Sequence, residues 1–128
     1  NNAIMAPMVA ALSDEDISDI AVYYASLKGT TGTSSPEHVD AGEKLYRAGD
    51  ANTGLAACMA CHGPAGNGNP AALYPSIAGQ FAEYTAIQLK AFKSETRAND
   101  ANNVMRSVAS KMTNDEIDAV ADYIEGLH

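Results

Sequence analysis

The sequence has no tryptophan, two phenylalanines and only two cysteines among its 128 residues. It is also poor in positive charge, because 8 Lys and Arg residues stand against 16 Asp and Glu residues, a formal net charge of −8. Nucleic-acid binding needs clustered Lys and Arg to neutralise phosphates, so this composition argues against it. No run approaches the roughly 20 apolar residues of a membrane span, so we expect no membrane-spanning helix.

The sequence also lacks an initiator methionine and the charged, apolar and small-residue regions of a signal peptide. We therefore expect a processed or trimmed chain that opens at Asn1. A length of 128 residues suits one ordinary domain, or one domain with an appendage. A chain of this size buries a core without disulfide bonds.

Two segments of the chain repeat each other without gaps at an offset of 100 residues, namely residues 4–27 and 104–127. The identical pairs are Met5 and Met105, Ile17 and Ile117, Ala21 and Ala121, Tyr23 and Tyr123, and Leu27 and Leu127. Two unrelated amphipathic helices would share the generic spacing, but the paired methionines favour duplication of a unit about 100 residues long.

The duplication predicts one complete domain that follows the end of another. We interpret residues 1–28 as the C-terminal segment of an incomplete first domain, residues 29–35 as a small polar linker, and residues 36–128 as a complete domain. A helix from an incomplete domain exposes an apolar face, so residues 1–28 also predict self-association or a partner.

The coarse secondary structure is helical throughout, so the predicted fold class is all-α, and no segment alternates convincingly as a β-strand. Four helices are predicted. Two begin after the N-caps Ser13 and Thr113, and a third begins with Pro36 in its first turn. The fourth begins at Phe81 and ends near residue 94. Long loops rich in glycine and proline lie between them, such as residues 63–75. Loops of this length in a helical protein need a group to pack against.

Both cysteines lie in one pentapeptide, Cys58-Met-Ala-Cys61-His62, which is the attachment signature of a c-type haem. Two thiols at this spacing each form a thioether with one vinyl group of the porphyrin, and the following imidazole lies under the ring as an iron ligand. The sequence therefore predicts one covalently bound haem c, with Cys58 and Cys61 as anchors and His62 as the proximal ligand.

Other uses of the two cysteines are less well supported. A thioredoxin-like redox site needs a βαβ setting that a helical sequence lacks. A structural zinc site needs four Cys or His ligands, and outside the pentapeptide only His38 and His128 remain. A disulfide that closes so short a loop adds little stability and strains the backbone.

An electron carrier needs a sixth iron ligand, and a methionine opposite histidine fills that position and raises the reduction potential. Met112 occupies a core-facing position beside the last helix, where a methionine typically fills an apolar gap. Met105 follows a polar loop long enough to cross the distal face of the haem. We favour Met105, and Met112 stays open as the alternative. His38 would give a bis-histidine centre, although its place in a first turn indicates an exposed side chain.

Two further residues are candidates for contacts around the haem. The ligating histidine needs an acceptor for its other ring N–H, and Pro75 offers a carbonyl on a constrained loop. Arg97 is a candidate for a haem propionate through bidentate guanidinium–carboxylate geometry. The alternative for Arg97 is an ordinary solvated surface arginine.

Beyond the pentapeptide, several motifs resemble those of class I cytochrome c, and specifically the C-terminal half of the di-haem cytochrome c4 family. The motifs lie at residues 42–46, 58–63, 75–80, 84–92 and 97–100 and at the Met105 segment. The proline–glycine–glutamine loop, the Arg-x-Asn-Asp loop and the repeat together are much more specific than the haem signature alone. The resemblance covers essentially the whole chain.

This resemblance implies a class I cytochrome c fold, with helices packed around a covalently attached haem. It also implies His62 and Met105 as the axial ligands and Pro75 as the acceptor for the His62 ring. Met5 would be the distal ligand of a first haem, but the first domain's own attachment motif is absent, so we expect one haem in this chain.

In the family, the implied role is a periplasmic carrier that takes electrons from a quinol-oxidising complex and delivers them to a haem–copper terminal oxidase, with no enzymatic activity of its own. The alternative is a cytochrome subunit or fragment of a periplasmic redox enzyme, such as a dehydrogenase or peroxidase. That role, like a haem-based ligand sensor, needs a vacant or displaceable sixth position. The sequence offers a methionine there and no paired carboxylates.

Charge is unevenly distributed along the complete domain. Residues 81–111 hold five basic residues against three acidic ones, whereas residues 113–128 hold five acidic residues and no Lys or Arg. Such a dipole would orient an exposed haem edge towards a redox partner at low salt. The pattern is equally compatible with an ordinary solvated surface.

Overall fold

A computed structural model describes residues 3–29 and 32–128, and it divides the chain into two compact units, Asn1–Thr30 and Thr31–His128. Across the described residues there is no β-strand, only two isolated β-bridges. The α-helices there are α1 (Met5–Val9), α2 (Asp14–Ser26), α3 (Val39–Ala48), α4 (Met59–His62), α5 (Ala82–Lys93), α6 (Val104–Ala109) and α7 (Asn114–Glu125). The predicted all-α class is confirmed.

The boundary between the two units falls inside the predicted linker, residues 29–35, of which residues 30 and 31 lie outside the described part. The assignment of residues 1–28 to an incomplete haem domain stays a prediction. None of the helices in the described ranges is long and apolar enough to cross a membrane.

The first unit contains α1 and α2, and no residue of either helix is buried. Ser13 is the N-cap of α2, as predicted, and it forms a capping box that the sequence did not predict. Its Oγ accepts a hydrogen bond from the Asp16 backbone N at 3.1 Å, and the Asp16 carboxylate accepts one from Ser13 N at 2.9 Å. The apolar side chains of Ile17 and Tyr24 are exposed, so α2 presents an apolar face.

The second unit is organised around α7, which packs against both α3 and α5, while α5 also packs against α6. Thr113 caps α7 as predicted, because its Oγ1 accepts from Glu116 N at 3.2 Å and the Glu116 carboxylate accepts from Thr113 N at 2.7 Å. The inward residues of α7 are buried: Ile117, Ala119, Val120, Ala121, Tyr123 and Ile124. This helix therefore supplies much of the hydrophobic core.

The contact between α3 and α7 depends on a glycine. A Cβ atom added to Gly42 would lie 2.4 Å from the Ala119 carbonyl oxygen and 2.6 Å from the Tyr123 Cβ. One turn along α3, the fully buried Tyr46 packs its ring 5.5 Å from the ring of Tyr123, centroid to centroid. Only a residue without a side chain allows the two backbones to come this close.

The predicted start of α3 is wrong by three residues, because the helix begins at Val39 rather than at Pro36. Residues 36–38 form a turn in which Ser35 O accepts from His38 N at 3.2 Å, and the Asp122 carboxylate accepts from Ser35 N at 2.8 Å.

His38 is half-buried in a groove beside α5 and α7, so the prediction that it is exposed is also wrong. The predicted α5 is confirmed to within one residue at each end.

Candidate functional site

The Cys58–His62 pentapeptide folds into a single helical turn. α4 begins directly after Cys58, and His62 N donates to Cys58 O at 2.9 Å. Both cysteines are half-buried and neither is in a disulfide. Residues three apart on a helical turn lie on the same side, so Cys58 and Cys61 are arranged to meet one ligand.

The environment of Cys58 argues against a thiol–disulfide redox site. Burial, with a smaller contribution from the neighbouring Cys61, raises the pKa of the Cys58 thiol to about 11. Redox-active CxxC pairs need a lowered thiol pKa, because the thiolate is the reactive form. The described chain also lacks the β-strands of a thioredoxin-like setting.

The imidazole of His62 is buried and its orientation is fixed by Pro75. Its Nδ1 lies 2.9 Å from the Pro75 carbonyl oxygen. Because a carbonyl only accepts hydrogen bonds, Nδ1 carries the proton, and Nε2 keeps the lone pair that a metal needs. The structure therefore brings together two of the residues that the sequence singled out, in the relationship predicted for them.

The loop between His62 and Pro75 is folded back on itself. Gly68 N donates to His62 O at 2.8 Å, and a β-bridge joins Asn69 to Tyr74. Gly68 has a φ of +73°, and a Cβ added to it would lie 2.5 Å from the Tyr74 carbonyl oxygen. A glycine is thus required where the loop reverses, and the reversal delivers the Pro75 carbonyl to the His62 ring.

A hydrogen bond that the sequence did not predict connects the core to the residue directly after the pentapeptide. The hydroxyl of Tyr46 donates to the Gly63 carbonyl oxygen at 2.6 Å. Burial raises the Tyr46 pKa to about 12, so the hydroxyl keeps its proton. A helical tyrosine gave no sequence signal for this role, because the partner is a backbone atom 17 residues away.

The two candidate methionines occupy different environments. Met112 is 3% exposed and belongs to the core cluster, where the sequence pattern placed it. Met105, the second residue of α6, is only half-buried and packs against the edge of that cluster, as do Cys58 and Ile77. A thioether that is already enclosed by core side chains is poorly placed to bind a group that comes from outside, so Met105 is the better candidate.

Arg97 is not an ordinary solvated arginine. Its Nη1 donates to Gln88 Oε1 and its Nε to Asn99 Oδ1, each at 2.9 Å, and its guanidinium lies 4.4 Å from the centre of the Phe92 ring. These contacts hold the guanidinium plane half-buried beside α5. Its contact with a haem propionate stays a prediction.

An ion pair that the sequence analysis missed lies next to Met105. The Asp100 carboxylate accepts from both the backbone N and the Nε of Arg106, and the side chains are 5% and 22% exposed. Burial favours a higher pKa for Asp100, but the hydrogen bonds from Arg106 and from its own backbone, together with the Arg106 charge, lower the pKa below its usual value. The signal available in the sequence was an aspartate before, and an arginine after, the candidate ligand.

These residues fit a c-type haem. They supply two thiols, an imidazole with a free Nε2, a thioether and a guanidinium, which are the groups that attach, ligate and neutralise it. Among the described residues, the Thr85 hydroxyl on α5 is a buried side-chain polar group without a hydrogen-bond partner. Those residues include no cluster of three or more His, Cys, Asp or Glu side chains that could hold a bare metal ion.

Comparison with known proteins agrees with this chemistry. The family model for Cytochrome c matches residues 39–128. Cytochrome c4 from Azotobacter vinelandii is 46% identical over 97% of this chain and 60% of its own length. The thiosulfate dehydrogenase electron acceptor of Stutzerimonas stutzeri is 38% identical over 99% of this chain and 60% of its own length.

A solved structure matches the whole fold. Reduced recombinant cytochrome c4 from Pseudomonas stutzeri superposes with a TM-score of 0.95 at 44% identity, covering 100% of this chain and 68% of that one. The chain spans about 60% of the length of the curated relatives it matches.

Proposed function

The chain belongs to the cytochrome c family, and from that premise we propose that it carries electrons along a bacterial respiratory chain towards a terminal oxidase. It is an electron-transfer cytochrome with one covalently attached haem c, and the two cysteines of its CxxCH motif are Cys58 and Cys61. When bound, the haem supplies an iron that takes up and releases one electron. Among the chain's own residues, Pro75 orients the buried His62 ring.

The observation that carries the proposal is the 2.9 Å contact between His62 Nδ1 and the Pro75 carbonyl oxygen. It leaves Nε2 as the atom that would bind iron, and it makes the imidazole a stronger donor. Because the ring is held by backbone, it would keep one orientation whether the haem is oxidised or reduced. A ligand that does not move keeps the reorganisation on electron transfer small, which suits a carrier.

The second protein ligand of the iron in this proposal is Met105. Its thioether and the His62 imidazole would together hold the haem iron, and a haem ligated in this way would transfer electrons without binding substrates or gases. Met105 is half-buried at the edge of the core, whereas Met112 is enclosed by it. Arg97 would neutralise a haem propionate, because Gln88 and Asn99 already orient its guanidinium.

We assign the haem to residues 36–128, and residues 1–28 to the end of a preceding haem domain, with Met5 in the place that Met105 takes in the repeat. The repeat at an offset of 100 residues supports this division. The exposed apolar side chains of α2 support covering of this segment by another domain or copy.

The proposed location is the periplasm, where covalent attachment of c-type haem to bacterial proteins takes place. The proposed partners are a quinol-oxidising complex as donor and a terminal oxidase as acceptor.

The basic residues of 81–111 form hydrogen bonds within the protein: Lys90 with Asp118, Arg106 with Asp100, Lys93 with Met112 O, Lys111 with Gly54 O, and Arg97 with Gln88. These basic residues therefore stabilise the fold, and the proposed binding of redox partners does not depend on them.

A second candidate function is a cytochrome that serves a redox enzyme directly. The relative from Stutzerimonas stutzeri is by its name the electron acceptor of a thiosulfate dehydrogenase. A carrier of that kind would receive electrons from a dehydrogenase instead of a quinol-oxidising complex. The haem site would be the same, and only the partner would differ.

Absorption spectra of the purified holoprotein, with and without carbon monoxide, test the proposal. We expect one haem by mass, a weak ferric charge-transfer band from methionine–iron ligation, and no change in the ferrous spectrum on adding carbon monoxide. A high-spin spectrum or ready carbon monoxide binding contradicts the carrier role and favours an open haem. Stopped-flow mixing with reduced quinol-oxidising complex or with thiosulfate dehydrogenase then separates the two donors.

A further inference from the structure

The carboxylate of Asp100 is bonded twice to the residue that follows Met105. Its Oδ2 accepts from the Arg106 backbone N at 3.0 Å, and its Oδ1 accepts from Arg106 Nε at 2.8 Å. Both hydrogen bonds are charge-assisted, because the acceptor is an ionised carboxylate. The aspartate side chain is 5% exposed. One end of the segment that carries Met105 is therefore attached to the loop before it.

The intervening chain is held in an unusual conformation. Asn102 and Asn103 both have left-handed backbones, with φ values of 53° and 58°. Asparagine tolerates this region better than most residues, but two in succession are uncommon and cost free energy. The Arg106 guanidinium also donates to Asn103 Oδ1. The ion pair and this hydrogen bond keep the turn closed over residues 100–106.

We propose that the pair of Asp100 and Arg106, which we call the ligand clamp, is a positioning device that holds Met105 at the iron. This inference rests on the proposed ligation by Met105. Iron–thioether bonding competes with the conformational freedom of the loop that carries the sulfur. A loop that is already closed raises the effective concentration of the thioether at the iron.

The clamp is absent from the other copy of the repeat, residues 4–27. In the repeat, Ala6 stands where Arg106 stands in the complete domain. The helical spacing of the Met105 segment therefore does not require an arginine. α6 starts with no side-chain capping hydrogen bond from its N-cap, Asn103, so the Asp100 carboxylate takes over the role of holding the first turn.

Imidazole competition on the ferric holoprotein tests the clamp, because free imidazole displaces a methionine ligand in proportion to how easily that ligand leaves. We expect Asp100→Asn and Arg106→Gln each to increase imidazole affinity at least about tenfold at constant pH, since each removes a charged hydrogen bond. The double variant should bind imidazole no more tightly than the stronger single variant, because the pair is broken only once.

The matched control is Asp118→Asn. It removes the Asp118 carboxylate paired with Lys90 at 2.6 Å between α5 and α7, with side chains 47% and 43% exposed, and it should leave imidazole affinity unchanged. If Asp100→Asn lowers the stability of the fold but leaves imidazole affinity at the wild-type value, the pair only stabilises the protein and the proposal is overturned. A wild-type protein without the methionine–iron band overturns both the clamp and the Met105 ligation. Imidazole affinity that is unchanged while that band is present overturns the clamp alone.

Discussion

The His62 imidazole and the Pro75 carbonyl oxygen are joined by a 2.9 Å hydrogen bond that spans 13 residues of chain. The intervening loop consists of a reversal at Gly68 and a β-bridge, and both direct the carbonyl towards the ring. Backbone atoms therefore fix the histidine at two points. Its ring is bonded to the Pro75 carbonyl oxygen, and its backbone N–H donates to Cys58 O. Replacement of side chains in this loop should affect the site only where the backbone path changes.

Replacing Met105 by leucine should abolish the charge-transfer band of the ferric protein and allow carbon monoxide to bind the ferrous form. The reason is that leucine fills a similar volume but offers no lone pair to the iron. Absorption spectroscopy before and after carbon monoxide addition measures both effects. The control is Met112→Leu, which should keep the band and cost less than about 1.5 kcal/mol, because the swap nearly conserves core volume. The opposite result would assign Met112 as the ligand.

Features decided by neighbouring residues were predictable from the sequence. The attachment pentapeptide and the caps at Ser13 and Thr113 involve side chains within three residues of their partners. The apolar period likewise placed Met112 in the core. In each case the physical cause acts over one or two helical turns, so the linear sequence contains it.

The missed features depend on contacts that the chain forms only after folding. The Tyr46 hydroxyl meets a carbonyl 17 residues away, and Arg106 meets Asp100 across a turn in which two asparagines adopt left-handed conformations. The late start of α3 has a similar origin, since Asp122 on α7 accepts a hydrogen bond from Ser35 N beside the turn at residues 36–38. No periodicity in the sequence reports such distant acceptors.

Replacing Tyr46 by phenylalanine should lower the free energy of unfolding by about 1 kcal/mol, because it removes one hydrogen bond and leaves the Gly63 carbonyl without that donor. The ring itself stays packed against Tyr123, so the core volume is kept. Chemical denaturation of the holoprotein measures the loss. Tyr84→Phe is the control, because the Tyr84 residue is 49% exposed. Equal stability of both variants would mean that water replaces Tyr46 at no cost.

The stability of the protein should decrease at alkaline pH because of Tyr46. Burial raises its pKa from 10.0 to about 12, so the unfolded chain loses this proton at lower pH than the folded one. The stabilisation is complete below pH 10 and is lost as the pH rises towards 12. Unfolding free energies measured across this range should fall less steeply for Tyr46→Phe than for the wild type. Parallel slopes would contradict the assignment, and Tyr84→Phe should retain the wild-type slope.

Replacing Thr113 by alanine should cost about 1 kcal/mol of stability, because the first turn of α7 loses the acceptor for Glu116 N. Thr113→Ser keeps the hydroxyl and should recover most of that loss. Thermal or chemical unfolding gives both values. Ser110→Ala is the control, since its exposed hydroxyl donates to the Ser107 carbonyl oxygen at the end of α6 and accepts no hydrogen bond from the first turn of a helix. A loss of the same size in the control would show that the hydroxyl matters for reasons other than capping.

Replacing Gly42 by alanine sets two effects of opposite sign against each other. Alanine is the better helix former by up to about 1 kcal/mol, which would stabilise α3. The added Cβ, however, would lie 2.4 Å from the Ala119 carbonyl oxygen, a backbone atom that moves only if α7 moves. We expect overpacking to outweigh propensity, with a net loss of about 1–3 kcal/mol in chemical denaturation. Gly29→Ala is the matched control, because no atom lies within 4 Å of its added Cβ, and it should change stability by less than about 0.5 kcal/mol. A stabilised Gly42→Ala protein would mean that α3 and α7 separate at little cost, and that the glycine is not required for their contact.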